Sequence, residues 1–170
     1  MEIKVARISK SEGIEEKIDL VHDVSGTEID FSGEKLLIVS QIEVHGSMVN
    51  FEGKIRVSLN IVTDVKRVCS RCLDSYDEHI CVDSIFTFIK EGTSVNDDED
   101  VYYYKSDTID IGDMVLGEII AAMPMKPLCK ENCNGLCAFC GKNKNITKCD
   151  CKEDNIDPRM QVLSKLFQSE

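Results

Sequence analysis

The chain contains no tryptophan, and aromatic residues make up only 6% of it, so whatever core it builds must be aliphatic. Histidine is scarce too. His22, His45 and His79 are too scattered to nominate a catalytic base. There is no glycine-rich phosphate loop, no nucleophile elbow and no Cys–His catalytic arrangement. No apolar run approaches the length of a membrane span. The first twenty residues, Met1 to Leu20, mix charged and apolar character and lack the greasy stretch of a secretory signal, which predicts a cytoplasmic protein without membrane contact. Basic charge is in deficit, with 20 Lys+Arg against 31 Asp+Glu and a net charge of −11. Such a balance argues against nonspecific nucleic-acid binding by the whole surface. The length of 170 residues fits one domain with room for a small appendage. No internal repeat is visible.

What the chain does have is cysteine. Eight of its nine cysteines fall in four close pairs: Cys69/Cys72, Cys129/Cys133, Cys137/Cys140 and Cys149/Cys151. In a reducing compartment such pairs read as metal ligands rather than disulfides. A tetrahedral zinc holds sulfurs at about 2.3 Å, so neighbouring sulfurs lie about 3.8 Å apart, within reach of one turn of chain. Cys137, Cys140, Cys149 and Cys151 form a local quartet, C-x2-C-x8-C-x-C. Gly141 just after Cys140 lets backbone N–H groups approach thiolate sulfur. Zinc is the expected ion, with an iron–sulfur centre as the competing ligation. The other quartet, Cys69, Cys72, Cys129 and Cys133, joins distant segments. If it shares one ion, that ion ties the stretch after Pro127 to Cys69-Ser70-Arg71-Cys72. The alternative is that each pair is a fragment with one left empty, and His79 is a weaker substitute for a thiol. Four protein thiolates leave no open coordination position, so both sites look structural and no enzymatic activity is expected. The ninth, Cys81, lies inside a strand and reads as a small buried hydrophobe.

The rest of the chain reads as an α+β protein dominated by an antiparallel sheet, with barrel-like closure as one option. From Val49 to Val65 apolar residues occupy odd positions and polar ones even positions, the mark of a long half-buried strand. Gly53 suggests a bulge. Leu36–His45 and Met48–Val68 suggest a hairpin turning at Gly46-Ser47. Tyr76–Ile89 carries Ile80, Val82, Phe86 and Phe88 on one face, which puts the first CxxC at the turn between two long strands. Two further strands are expected around Ile3–Ile8 and Ile14–Leu20. Residues 91–100 are acidic and read as a solvated loop, with an acidic binding segment as the lesser alternative. Val101–Lys105 is a short strand. A helix then carries Leu116, Ile119, Ile120 and Met123 as its stripe, with Asp110 or Asp113 as cap and Pro124 as terminator. A second helix begins at Asp157-Pro158, with Met160, Leu163 and Phe167 on its inner face. This divides the chain into a β-rich domain (1–123), a cysteine-rich zinc-binding segment (124–152) and a C-terminal helix packing on the same domain (153–170).

Charge follows the same division. Residues 126–152 hold six lysines against Glu131 and Asp150, the single basic stretch of an acidic chain. Because four thiolates around one zinc add two negative charges, this is a weak footprint for RNA, and a solvated loop surface is the plainer reading.

Several of these residues resemble one family. They are Val68-Cys69-Ser70-Arg71-Cys72-Leu73, Met123-Pro124-Met125-Lys126-Pro127-Leu128-Cys129 with Cys133, Gly135-Leu136-Cys137-Ala138-Phe139-Cys140-Gly141, Cys149-Asp150-Cys151 and Ile156-Asp157-Pro158-Arg159. Together they resemble the YceD family, the large ribosomal RNA subunit accumulation proteins, in the Gram-positive form that carries the extra cysteine cluster. The resemblance implies a noncatalytic role in 23S ribosomal RNA accumulation and large-subunit biogenesis. Partners would be a ribosomal RNA precursor or large-subunit ribosomal proteins. It also supports grouping Cys69/Cys72 with Cys129/Cys133, since members without the later quartet keep a pair after the helix. Ala138 stands where proline is common and Lys144 where leucine is common. The alternative function is a zinc–thiolate redox-switched binding protein or chaperone. About two zinc ions per chain are expected.

Overall fold

The computed structural model describes residues 1–31, 34–93 and 101–151. Within them lie strands β1 (Glu2–Lys4), β2 (Glu15–His22), β3 (Glu28–Phe31), β4 (Glu34–Ile38), β5 (Ile42–Phe51), β6 (Lys54–Val68), β7 (Ser75–Lys90), β8 (Tyr102–Tyr104) and β9 (Thr108–Asp110). A 3-10 turn spans Ile8–Lys10, and one α-helix, α1, spans Gly112–Ala122. The second helix expected from Asp157 and most of the acidic stretch 91–100 lie outside the described residues.

Alternation decides the centre of the fold. In β6 the odd positions from Ile55 to Val65 are all buried, as period-two patterning demands. β7 runs antiparallel to it along its whole length, from Lys54 opposite Ile89 to Val68 opposite Ser75. Ile80, Phe86 and Phe88 face inward from β7. On the other side β5 pairs with β6 from Phe51 opposite Lys54 to Glu43 opposite Val62.

The expected hairpin is corrected in two respects. The reversal falls at Glu52-Gly53, both with positive φ (53° and 77°), the pairing a tight two-residue hairpin turn requires. Gly53 is therefore a turn residue and not a bulge. This turn sets the phase so that even positions of β5 oppose odd positions of β6. Asn50 is buried and Phe51 exposed, the reverse of what unbroken alternation from Val49 predicts. The buried Asn50 Nδ2 donates to the carbonyls of Ile8 (3.0 Å) and Ser9 (3.3 Å), tying down the 3-10 turn. Gly46 is no turn either. It sits within β5, where a Cβ would lie 2.0 Å from the Ser58 carbonyl oxygen, so glycine is there for close backbone approach. The run Leu36–His45 breaks after Ile38 into β4 and β5.

The main sheet has the order β2-β5-β6-β4-β3, with β7 on the far side of β6 and β8 parallel beyond it. It is open and not a closed barrel. β5 covers β6 only as far as Val62, and β4 takes over at Val65 and Lys66. The outermost strands, β2, β3 and β8, are not paired to one another. β1 and β9 form a separate two-stranded ladder.

α1 covers the inner face, with Val115 and Ile119 fully buried. The expected stripe is thus centred one residue off: Leu116, Ile120 and Met123 are partly buried beside it. Asp110 Oδ1 accepts the Gly112 amide at 2.9 Å, while Asp113 lies in the first turn. Met123 turns extended (ψ 133°) ahead of Pro124, as the pre-proline position favours. Full burial of Val115 and Ile119 contributes about 1.5–3 kcal/mol each. No helix among the described residues is long and apolar enough to cross a membrane.

Candidate metal centres

After α1 the chain to Cys151 has almost no regular structure. Its one ladder contact is a bridge between Leu136 and Asn143. Order here comes from the cysteines and from polar links to the turn between β6 and β7. That turn holds Cys69 and Cys72 at the tip of two strands of 15 and 16 residues, as expected from the sequence.

The structure brings together both expected quartets. In each, the four sulfurs lie within 4.8 Å of one another. Cys69 and Cys133 place their sulfurs 3.8 Å apart, and Cys72 and Cys129 theirs 3.6 Å apart. A tetrahedral ion with metal–sulfur bonds near 2.3 Å needs edges of about 3.8 Å, so spacing and donor chemistry both fit a thiophilic divalent cation. The first set is enclosed: Cys69, Cys72 and Cys133 are buried, with Tyr76 and Leu128 packed on them. The second is open, with Cys137 buried but Cys140 exposed. Cys81 corrects the expectation of a buried thiol. It points to the outer face of β7, exposed, with Asn60 Nδ2 3.5 Å from its sulfur. No histidine joins either set: His79 pairs with Asp64 Oδ1 at 2.8 Å and His45 with Asp19 Oδ1 at 2.9 Å.

Sequence inspection missed that the two CxxC segments are one motif used twice. The Cys69 amide donates to the Asp74 carbonyl at 2.9 Å, and the Cys137 amide to the Lys142 carbonyl at 2.8 Å. The Leu73 amide donates to the Cys69 carbonyl at 3.0 Å, and the Gly141 amide to the Cys137 carbonyl at 2.9 Å. The flanks also match: Val68 pairs with Ser75, and Leu136 bridges Asn143. The residue after the second cysteine is left-handed in both, Leu73 at φ 61° and Gly141 at φ 69°. The spacing C-x2-C was the visible signal, but leucine in a glycine position hid the identity.

The protein pre-arranges charge at these sulfurs. The amides of Cys129, Cys72 and Arg71 bring Cys69 down to about 6 against its burial. The amides of Cys140 and Phe139 do the same for Cys137, also to about 6. Against its burial, Cys133 is held below the usual thiol range by the Gly135 amide and the Asn145 side chain. In Cys72 the Asp74 amide is outweighed by burial and the surrounding thiols, which push it up to about 12. Burial raises Cys129. Hydrogen bonding with Cys140 raises Cys151 to about 12, and with Cys137 raises Cys149. Each set without an ion therefore holds both depressed and elevated thiols, and a cation is what would let all four ionise together.

Polar links fasten the second motif to the first. The Ser70 amide donates to the Pro127 carbonyl at 2.9 Å, which joins the β6–β7 turn to the stretch at Pro127 by a backbone hydrogen bond. Arg71 Nη1 donates to the Cys133 carbonyl at 3.0 Å, and the Leu136 amide donates to the Arg71 carbonyl at 3.1 Å. Asn145 Nδ2 donates to Cys133 Sγ (3.3 Å), and Asn143 Nδ2 to Asp74 Oδ2 (2.5 Å). Upstream, Arg67 Nη2 donates to the Pro124 carbonyl at 3.1 Å, fixing the exit of α1.

An open antiparallel sheet carrying two tetracysteine sets on paired turns defines a β-sheet protein with two candidate metal centres. The family described as large ribosomal RNA subunit accumulation protein YceD matches residues 57–167, and the chain belongs to it. It is 27% identical to the uncharacterized protein YlbN of Bacillus subtilis over 133 residues, 78% of this chain and 77% of that one. It is 31% identical over 102 residues to the uncharacterized protein ML1660 of Mycobacterium leprae, 58% of this chain and 46% of that one. The uncharacterized protein Rv2926c of Mycobacterium tuberculosis is 27% identical over 105 residues, 60% of this chain and 50% of its own length. The chain thus spans about half the length of the mycobacterial relatives it matches. No solved structure matches it.

Proposed function

We propose that this chain is a noncatalytic, cytoplasmic factor supporting 23S ribosomal RNA accumulation and large-subunit biogenesis, with two structural zinc ions ordering its interaction surface. One observation carries the reading: the family match, residues 57–167, takes in all eight paired cysteines. The family is described by large ribosomal RNA subunit accumulation, and its shared region includes both sulfur sets. Zinc suits four thiolates at this spacing, and when bound it would cross-link the strand turn to the segment beyond α1. Cys69, Cys72, Cys129 and Cys133 would hold one ion, Cys137, Cys140, Cys149 and Cys151 the other. The partner is a ribosomal RNA precursor or a large-subunit ribosomal protein.

The test is crosslinking in cells followed by sequencing of bound RNA and identification of bound protein. Recovery of 23S precursor or of large-subunit proteins is the expected result, and recovery of neither removes the reading. A second reading, a redox-switched binding protein, is favoured by the exposure of Cys140 beside the low-pKa Cys137. Rapid, reversible zinc release at low peroxide would select it.

A further inference from the structure

The second cysteine turn presents a ring to the outside. Phe139 lies between Cys137 and Cys140 and is 52% exposed. Its backbone is held from both sides, because the Cys137 amide donates to the Lys142 carbonyl and the Gly141 amide to the Cys137 carbonyl. Phe139 lines one cleft of about 520 Å³ together with Lys144, Thr147, Lys148, Asp150 and three cysteines of the second set. Lys148 is exposed, and no carboxylate among the described residues pairs with it. Exposed rings elsewhere lack this setting. Phe51 stands beside Glu52 at the opposite end of β6 from the cysteines, and Tyr102 and Tyr103 follow the run Asp97-Asp98-Glu99-Asp100. Phe139 belongs instead to residues 126–152, where lysines outnumber acids by six to two.

We infer that this cleft takes one base of single-stranded RNA, with Phe139 stacking on the base and the Lys148 ammonium meeting a flanking phosphate. This rests on the large-subunit reading above and makes RNA its direct contact. The amount of apolar surface decides for RNA over protein. A protein interface buries about 800 Å² per partner around an apolar centre, whereas this cleft offers one ring and the Ala138 methyl. One ring suffices for one base, since every base has a flat face to stack. Single strands are required because the bases of a duplex are already stacked on one another. Zinc does not reverse the choice. Four thiolates around it add two negative charges, which offset the lysines in bulk. Affinity therefore rests on the ring and on few phosphate contacts, and depends only weakly on salt.

The experiment titrates the full zinc-loaded chain into a fluorescently labelled single-stranded RNA of about ten nucleotides and mixed sequence, read by anisotropy. Phe139→Ala should weaken binding about tenfold, and Phe139→Tyr, which keeps the ring, should stay within about twofold of the parent. Lys148→Gln should weaken it about fourfold at physiological salt and flatten the slope of log affinity against log salt by about 0.7. Phe51→Ala should change nothing, and the same RNA annealed to its complement should bind at least about tenfold more weakly. All four side-chain variants should keep the parent's metal content, because the altered residues are exposed. Phe139→Tyr and Lys148→Gln keep the test decisive if Phe139→Ala disturbs the turn. Absence of binding, equal affinity of Phe139→Ala and the parent, or ready displacement of the RNA by polyglutamate, which would mark a surface for acidic protein, overturns the inference. Failure of the RNA to bind while large-subunit proteins are still recovered from cells removes this inference and leaves the large-subunit reading standing. Recovery of neither 23S precursor nor large-subunit proteins from cells removes that reading, whatever the oligonucleotide does.

Discussion

Cys69 and Cys133 are 64 residues apart in the chain and 3.8 Å apart at their sulfurs. The first closes the longest strand pair of the sheet, and the second lies in a segment with no strand or helix of its own. Between them the chain forms β7, β8, β9 and α1, so an ion at this point closes a loop containing much of the fold. Because the second cysteine turn hangs from Arg71, Asp74 and Cys133, the two centres form a hierarchy: the first supports the second.

That hierarchy predicts unequal substitutions. Cys137→Ser should lose one zinc, keep the other and leave the sheet's melting transition nearly unchanged. Cys69→Ser should lose more than one, because the second set loses its support, and should melt well below the parent. Metal content and calorimetry on the two variants check this, and equal losses contradict it.

Acid should release the metal, with a slope set by the thiols. At pH 7 to 8 the raised Cys72 and Cys129 are protonated in the ion-free first set, while Cys69 near 6 is already thiolate. Binding therefore expels at least about two protons, and log affinity should rise by about two per pH unit over that range. Competition with a chelator of known proton linkage measures it, and a flat profile contradicts it. In the ion-free protein the signs differ by residue. Cys69, lowered from 9.0 to about 6, contributes stability that is complete above pH 9 and lost as pH falls through 6. Cys72, raised to about 12, contributes stability that is complete below pH 9 and lost as pH climbs toward 12.

Gly46→Ala should destabilise the sheet without touching the cysteines. Its new methyl would meet the Ser58 carbonyl, a backbone atom that cannot swing aside. The cost is about 2–3 kcal/mol, seen as a melting point lower by roughly 5–10 °C. Ser47→Ala next to it serves as a control. A melting point unchanged by Gly46→Ala would mean that β5 and β6 are not so closely apposed.

These residues also show how far the sequence could be read. β6 was legible because every odd side chain from Ile55 to Val65 obeys one burial rule. The local set Cys137, Cys140, Cys149 and Cys151 was legible from its short spacing, whereas spacing left the grouping of Cys69/Cys72 with Cys129/Cys133 open and the family resemblance favoured it; the structure brings both sets together. The hairpin turn was not, since Gly46 and Gly53 are the same residue type serving different needs, close approach and positive φ, and composition does not separate them. Cys81 was misassigned because a strand interior has two faces, and Cys81 lies on the outer one. The open sheet could not be foreseen, as strand length and order decide closure and alternation does not. The repeated cysteine turn stayed hidden because hydrogen bonds and dihedrals repeat while the residues, apart from the cysteines, do not.

The most direct measurement combines metal analysis with thiol alkylation on protein purified without chelator. Two zinc ions per chain, with Cys81 modified rapidly and the other eight cysteines protected, is the predicted outcome. A preparation free of transition metal in which all nine thiols react alike would contradict the assignment of both centres.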